Sequence, residues 1–198
     1  MASSSPLPNK PKAESPRSLP AVIIGVICCL MIASTFLLPW YEGEYEMNSS
    51  PAYQDEYGLG DFTQGVSGTE TTFEYSSENA YNSPAMERVG DLMSKLTIVL
   101  ALSLAASIVA TVLSYLHRRA SGVILGMVSS GLLLAAVGIF YFGIIDALNL
   151  DSFVGWTILN RTLSVEAGPM IGWWLAMTVS VVQSAQAVVL AYSGRNDG

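Results

Sequence analysis

GVILGMVSSGLLLAAVGIFYFGII, from Gly122 to Ile145, runs for twenty-four residues without one charged side chain. As a helix rising 1.5 Å per residue it spans about 36 Å, enough to cross a hydrocarbon core of roughly 30 Å with some tilt. A soluble helix of this length needs a polar face to set against water, and this stretch has none. Gly122, Gly126 and Ser130 place a small residue at every fourth position of its first half. That spacing lets a neighbouring backbone come close in lipid.

The composition around this span is of the same kind. Of 198 residues 51% are hydrophobic and 13% charged, against about a quarter charged in soluble domains. Residues 1–18 are rich in Ser and Pro, carry Lys10, Lys12 and Arg17 against Glu14, and read as a disordered cytoplasmic tail. Leu19 to Leu38 is the first apolar run. A signal peptide has an apolar region of roughly 7–15 residues, and the greater length here favours a retained helix over 19–39. Ala21, Gly25, Cys29 and Ala33 form a stripe at spacing four, Pro39 stops the helix, and Trp40 and Tyr41 are expected at the headgroup level. Cys28 and Cys29 are adjacent, cannot bridge each other without strain, and read as small apolar residues packed among helices.

A second helix begins between Pro84 and Asp91 and crosses as residues 89–116, with Asp91 and Lys95 spaced to pair on one face. The turn at 117–121 is short enough to force an antiparallel hairpin with the span at 122–145. A fourth span, 168–192, opens at Pro169, carries Trp173 and Trp174 near one interface, and has its own stripe of Gly172, Ala176, Ser180 and Ser184. Residues 193–198 form a second cytoplasmic tail. The fold class expected is an all-α membrane protein: a four-transmembrane-helix bundle with a small extracellular β-containing cap.

The cap comes from the two connecting segments. Residues 40–88 hold ten acids against Arg88 alone, with Tyr45, Tyr53, Tyr57, Phe62, Phe73, Tyr75 and Tyr81 interspersed. A wholly disordered tract is poorer in aromatics. Thr71 to Tyr75 reads as a strand within an irregular cap, punctuated by glycines. Residues 146–167 have room for one strand or a short re-entrant piece. Lys10, Lys12, Arg17, Arg118, Arg119 and Arg195 fall on one side, and Arg88, Lys95 and Arg161 on the other. The excess of Lys and Arg places both termini in the cytoplasm of a multi-pass cell-membrane protein.

No span holds a charged residue in its middle, where burial costs at least ~2.5–3.5 kcal/mol. Proton relays, voltage sensors and intramembrane acid–base catalysis are therefore not expected, nor is an enzyme, a metal site, a cofactor or a nucleic-acid partner. His117 is the only histidine and reads as a headgroup contact. Gln183 and Gln186 share one face of the fourth span. They read as interhelical hydrogen-bonding groups or, alternatively, as a polar path in a channel or transporter component. Asn48 and Asn160 each open a glycosylation triplet. The solvated acidic segment, with its tyrosines, is expected to contact a protein partner or a second copy of the chain.

Four spans, cytoplasmic termini, a large first outer segment, a small second one and Leu38-Pro39-Trp40 closing the first span resemble the claudin and peripheral-myelin-type tetraspan group. The resemblance implies an outer β-cap on a left-handed four-helix bundle. The Gly-Leu-Trp motif and cysteine pair of claudins are absent from the first outer segment. The function expected is structural or accessory.

Overall fold

A computed structural model describes residues 19–47, 50–66, 69–75, 84–116, 118–158 and 163–195. The apolar runs form four helices: α1 (Leu19–Ser34), α2 (Pro84–Tyr115), α3 (Arg119–Leu148) and α4 (Ile171–Arg195). The last three are long and apolar enough to cross a bilayer, which marks the chain as a membrane protein. At 16 residues α1 is shorter. Hydrogen-bonded turns continue it, with Phe36 N–H donating to Ala33 O and Leu37 N–H to Ser34 O. It cannot go further, because Pro39 drives the residue before it out of the helical region.

Helix α1 packs on α2 and α4, and α3 packs on the same two. Neighbours are antiparallel: Cys29 meets Ser107, Ser103 meets Ser129, Ser130 meets Ser180 and Ala21 meets Gln186. The α2–α3 hairpin is as tight as the sequence predicts, with α2 ending at Tyr115 and α3 beginning at Arg119. Two glycines allow close approach. A Cβ on Gly25 would lie 2.5 Å from Thr111 Oγ1 of α2, and one on Gly172 would lie 2.8 Å from Pro39 O.

The small-residue stripes hold only in part. The buried face of α1 is Ala21, Gly25, Cys28 and Ile32, whereas Ala33 is exposed and Cys29 half-buried. A spacing of four drifts about 40° per step around a helix of 3.6 residues per turn, so the stripe rotates out of the contact. On α3, Gly122 meets Ser114 and Ala110 and Ser130 is buried, but a Cβ on Gly126 would touch nothing within 4 Å. On α4, Gly172, Ala176 and Ser180 are buried and Ser184 half-buried.

Over the end where α1 and α3 finish lies one antiparallel sheet of six strands. β1 (Tyr41–Met47), β2 (Ser50–Tyr57), β3 (Asp61–Val66) and β4 (Thr69–Glu74) come from the first segment. β5 (Gly155–Ile158) and β6 (Leu163–Pro169) come from the second, and the order is β4-β3-β2-β1-β6-β5. The cap is one continuous sheet whose β1–β2 pairing shifts register between Tyr45 and Glu46, and the second segment supplies two strands in place of one. The join is β1 with β6, Tyr41 opposite Pro169 through Met47 opposite Leu163.

Trp40 and Tyr41, expected at the headgroup level, are enclosed by protein. Both are fully buried where sheet meets bundle. The Trp40 indole donates to Thr35 O at 2.9 Å and packs edge-on to Phe140, and the Tyr41 hydroxyl donates to Phe153 O at 2.7 Å. They belong to one continuous core with Val89 and Met93 of α2 and Ile144 of α3. The end of α3 is closed by Asn149 in the left-handed conformation, with Leu150 N–H returning to Ile145 O. Arg88 donates to Ala147 O from both Nε and Nη2, a cation against the negative end of that helix.

Candidate functional site

Cys29, Ser103, Ser107, Ser129 and Gln183 form one connected polar layer in the bundle. Ser103 Oγ donates to Ser129 O at 3.0 Å, and Ser129 Oγ donates to Gln183 Oε1 at 3.0 Å. Gln183 Nε2 donates to Ser107 Oγ at 2.7 Å, and Cys29 Sγ donates to the same oxygen at 3.3 Å. Gln183 of α4, whose carbonyl and amide both have partners, thus joins α2 and α3, and α1 enters the layer through Cys29 on Ser107. One turn on, Ser130 bridges to Ser180 O and Ser184 Oγ, and Gln186 Nε2 donates to Ala21 O. Among the described residues no buried side-chain nitrogen or oxygen lacks a partner. A cavity of about 30 Å3 beside Ser107, Thr111, Gln183 and Gln186 has room for a water or two. Neutral hydrogen bonds of this kind in lipid are worth below ~1–2 kcal/mol each. Asp91 and Lys95 pair at 2.6 Å as their spacing predicts, both well exposed. Asn48, Asn160 and His117 lie outside the described residues.

The sheet has two unlike faces, because successive strand residues point opposite ways. One face carries Glu42 directly opposite Glu56, and Glu44 directly opposite both Gln54 and Glu166. These carboxylates are exposed or half-exposed. Like charges directly opposite each other destabilise a sheet. The same face borders the end of α1 at Leu37 and Leu38 and the start of α4 at the exposed Trp174.

The other face is aromatic and turns inward. Tyr41 stands opposite Tyr57, Tyr45 opposite Tyr53, Tyr57 opposite Phe62, and Phe62 opposite Phe73. Tyr45 and Tyr53 stack at 4.2 Å between ring centroids, and Phe62 stacks on Phe73 at 5.3 Å. The Tyr75 hydroxyl donates to Gly58 O and so ties the chain after β4 back to the turn before β3. Burial pushes the phenols of Tyr41, Tyr45, Tyr57 and Tyr75 up, so they act as neutral hydroxyls.

One carboxylate lies on the aromatic face. Asp55 stands opposite Gln64 and is only 3% exposed. It accepts from Tyr57 Oη on Oδ2 and from Gln64 Nε2 on Oδ1, each at 3.2 Å. Burial pushes its carboxyl up to about 6, and the two hydrogen bonds oppose that rise. Among the described residues no cation stands against it. It borders a groove of about 480 Å3 with Tyr45, Tyr53, Phe62, Gln64, Val66 and Met86. Sequence reasoning grouped Asp55 with the solvated acids. The signal that separates it is phase: in Tyr53-Gln54-Asp55-Glu56-Tyr57 the aspartate falls in step with the two tyrosines, and Gln54 and Glu56 fall out of step.

No family model matches the chain, and no curated protein matches it.

Proposed function

We propose that the chain is a four-span membrane protein of the claudin and peripheral-myelin type, structural or accessory in role, whose acidic sheet face contacts a basic protein partner. The opposed carboxylates carry the reading. Glu42 against Glu56 and Glu44 against Glu166 repel across the strands, and a cationic surface laid on them relieves the repulsion. A second copy of the same acidic face would add to the repulsion, so a basic partner fits this surface better than self-association through it.

Other features support the four-span part. The outward side of α1 is apolar, with Leu19, Ile23, Ile24, Val26, Ile27 and Leu30 exposed, as the outward sides of α2 to α4 are. One sheet built from both connecting segments, meeting the bundle at Leu38-Pro39-Trp40, agrees with what the claudin-type resemblance implies. The excess of Lys and Arg opposite the sheet favours cytoplasmic termini. A non-catalytic role fits a bundle whose polar groups are neutral and mutually hydrogen-bonded. The channel reading has the small cavity beside Gln183 and Gln186 in its favour.

Carbodiimide coupling in native membranes tests the contact, since it joins a carboxylate to an amine that already touches it. The full chain is expected to give a discrete adduct with a lysine-bearing protein, reduced several-fold in Glu44→Gln/Glu166→Gln. No adduct, or one of equal yield from the double variant, removes the partner from this face.

A further inference from the structure

The aromatic face of the cap holds a second feature, independent of the acidic face. Asp55 is a carboxylate among rings, and its two hydrogen-bond donors are neutral. An asparagine could accept from Gln64 and bond Tyr57 equally well without a charge to desolvate. Packing alone therefore gives no reason for a carboxylate. A carboxylate oxygen has two lone-pair sites, so each oxygen of Asp55 keeps one acceptor site beyond the bond it already makes. The groove next to it falls within the range of about 300–1,000 Å3 that holds small ligands. Tyr53 is half-buried and Val66 exposed at the groove, so the site can be reached from outside.

The chemistry of the lining selects the ligand. Half-buried Tyr53, stacked on Tyr45, lines the groove with an aromatic ring of the kind whose π-face attracts a cation and repels an anion, and Phe62, itself stacked between Tyr57 and Phe73, closes the wall. Met86 adds a polarisable thioether at the start of α2. We propose that this groove binds an organic ammonium group, with Asp55 as its counter-ion and Tyr45, Tyr53 and Phe62 as its walls. A bound cation also returns to Asp55 the favourable interaction that burial removed, in keeping with the raised carboxyl. An ammonium group of this kind can come from a free amine in solution or from a lipid headgroup.

Titration calorimetry on the full chain in dodecyl maltoside, free of added lipid, tests the site with choline and butylammonium as probes. Saturable binding is expected for at least one of them, and none for the neutral isostere 3,3-dimethylbutan-1-ol. Asp55→Asn, which keeps the local hydrogen bonds, should lower affinity at least about tenfold through loss of the charge-assisted contact. Tyr53→Leu should lower it several-fold with Asp55 intact. In nanodiscs, a phosphatidylcholine bilayer that suppresses choline binding relative to phosphatidylglycerol assigns the ligand to the headgroup, and equal binding in both assigns it to solution. Absence of saturable binding by both probes, equal affinity in Asp55→Asn, or equal binding of the alcohol overturns the proposal.

Discussion

Replacing Asp55 by Asn should stabilise the protein, and the gain should depend on pH in a defined direction. A carboxyl held at about 6 in place of its ordinary 3.8 costs about 3 kcal/mol when ionised in the folded state, at 1.36 kcal/mol per pKa unit. The groove is open to water on one side, and that screening brings the expected value to about 2 kcal/mol. The folded-state value lies above the unfolded one. Stability from this group is therefore fully present below about pH 4 and is lost as pH rises through 6. Asn carries no charge at any of these values. Its carbonyl can accept from Gln64 Nε2, and its amide can donate to Tyr57 Oη, whose hydrogen is free to turn toward Tyr45 Oη at 3.2 Å. Thermal unfolding of both proteins in detergent, followed by intrinsic fluorescence at several values from pH 4 to 8, reads the difference. The two midpoints should nearly coincide at pH 4 and separate above pH 7 by roughly 4–8 °C, the variant melting higher. Parallel curves across the whole range, or a variant that melts lower at pH 8, would refute the account of Asp55 as a desolvated, uncompensated carboxylate.

Gln183→Leu removes the group that joins α4 to α2 and α3, leaving Ser129 and Ser107 short of one partner each. Its cost should stay below ~1–2 kcal/mol in an SDS unfolding titration, because each serine keeps a second partner in Ser103 or Cys29. Liposomes containing the wild-type protein should show no ion or solute flux, and flux that disappears in Gln183→Leu and Gln186→Leu would favour the channel reading. Sidedness is checked with cysteines at Thr71 in β4 and at Ser121 in the first turn of α3, both exposed. Ser121→Cys should react with an impermeant thiol reagent only from the cytoplasmic side and Thr71→Cys only from outside. Reaction of both from one side would remove the four-span arrangement.

The bundle was the legible part of the sequence because its determinants are local. A charge-free run, a proline after it and a brief basic turn each act within a few residues, and α2, α3 and α4 fall where those signs put them. The spacing of Asp91 and Lys95 is likewise enough to pair them. The existence of a β-containing cap was legible, but its topology was hidden because the decisive contact is non-local: β1 meets β6 across most of the chain, and neither strand signals the other. Acids in every other position also made β1 look like a solvated tract. Yet Tyr41-Glu42-Gly43-Glu44-Tyr45 already has the two-residue period of a strand with one wet face. Trp40 and Tyr41 were assigned to an interface for the same reason: without knowing that a sheet covers them, a bulky aromatic at a span's end reads as an anchor. The layer around Gln183 lay between these cases. The residue was conspicuous as a deep polar group, but its partners on two other helices could be found only in three dimensions.

Charge is divided sharply in this molecule, and the division indicates where its specificity resides. The interior of the bundle is held by dispersion and by neutral hydrogen bonds among Ser, Gln and Cys, which pack helices but distinguish poorly between one polar ligand and another. The carboxylates placed by the sheet occur in two distinct settings. On the outer face Glu42, Glu44, Glu56 and Glu166 keep contact with water, so repulsion there is screened and a broad cationic surface can respond to it. On the inner face Asp55 is buried, bordered by rings and faced by no cation among the described residues, so its field is directed into one small groove. A wide, wet, acidic surface suits a macromolecule, and a single desolvated carboxylate among aromatics suits one compact cation. The two proposed recognition surfaces thus fall on opposite sides of one sheet, and the pleat that alternates side chains along β2 places Glu56 on one side and Asp55 on the other. A one-residue slip of β2 would exchange the two and abolish both, so the stacked tyrosines that hold the register matter to each.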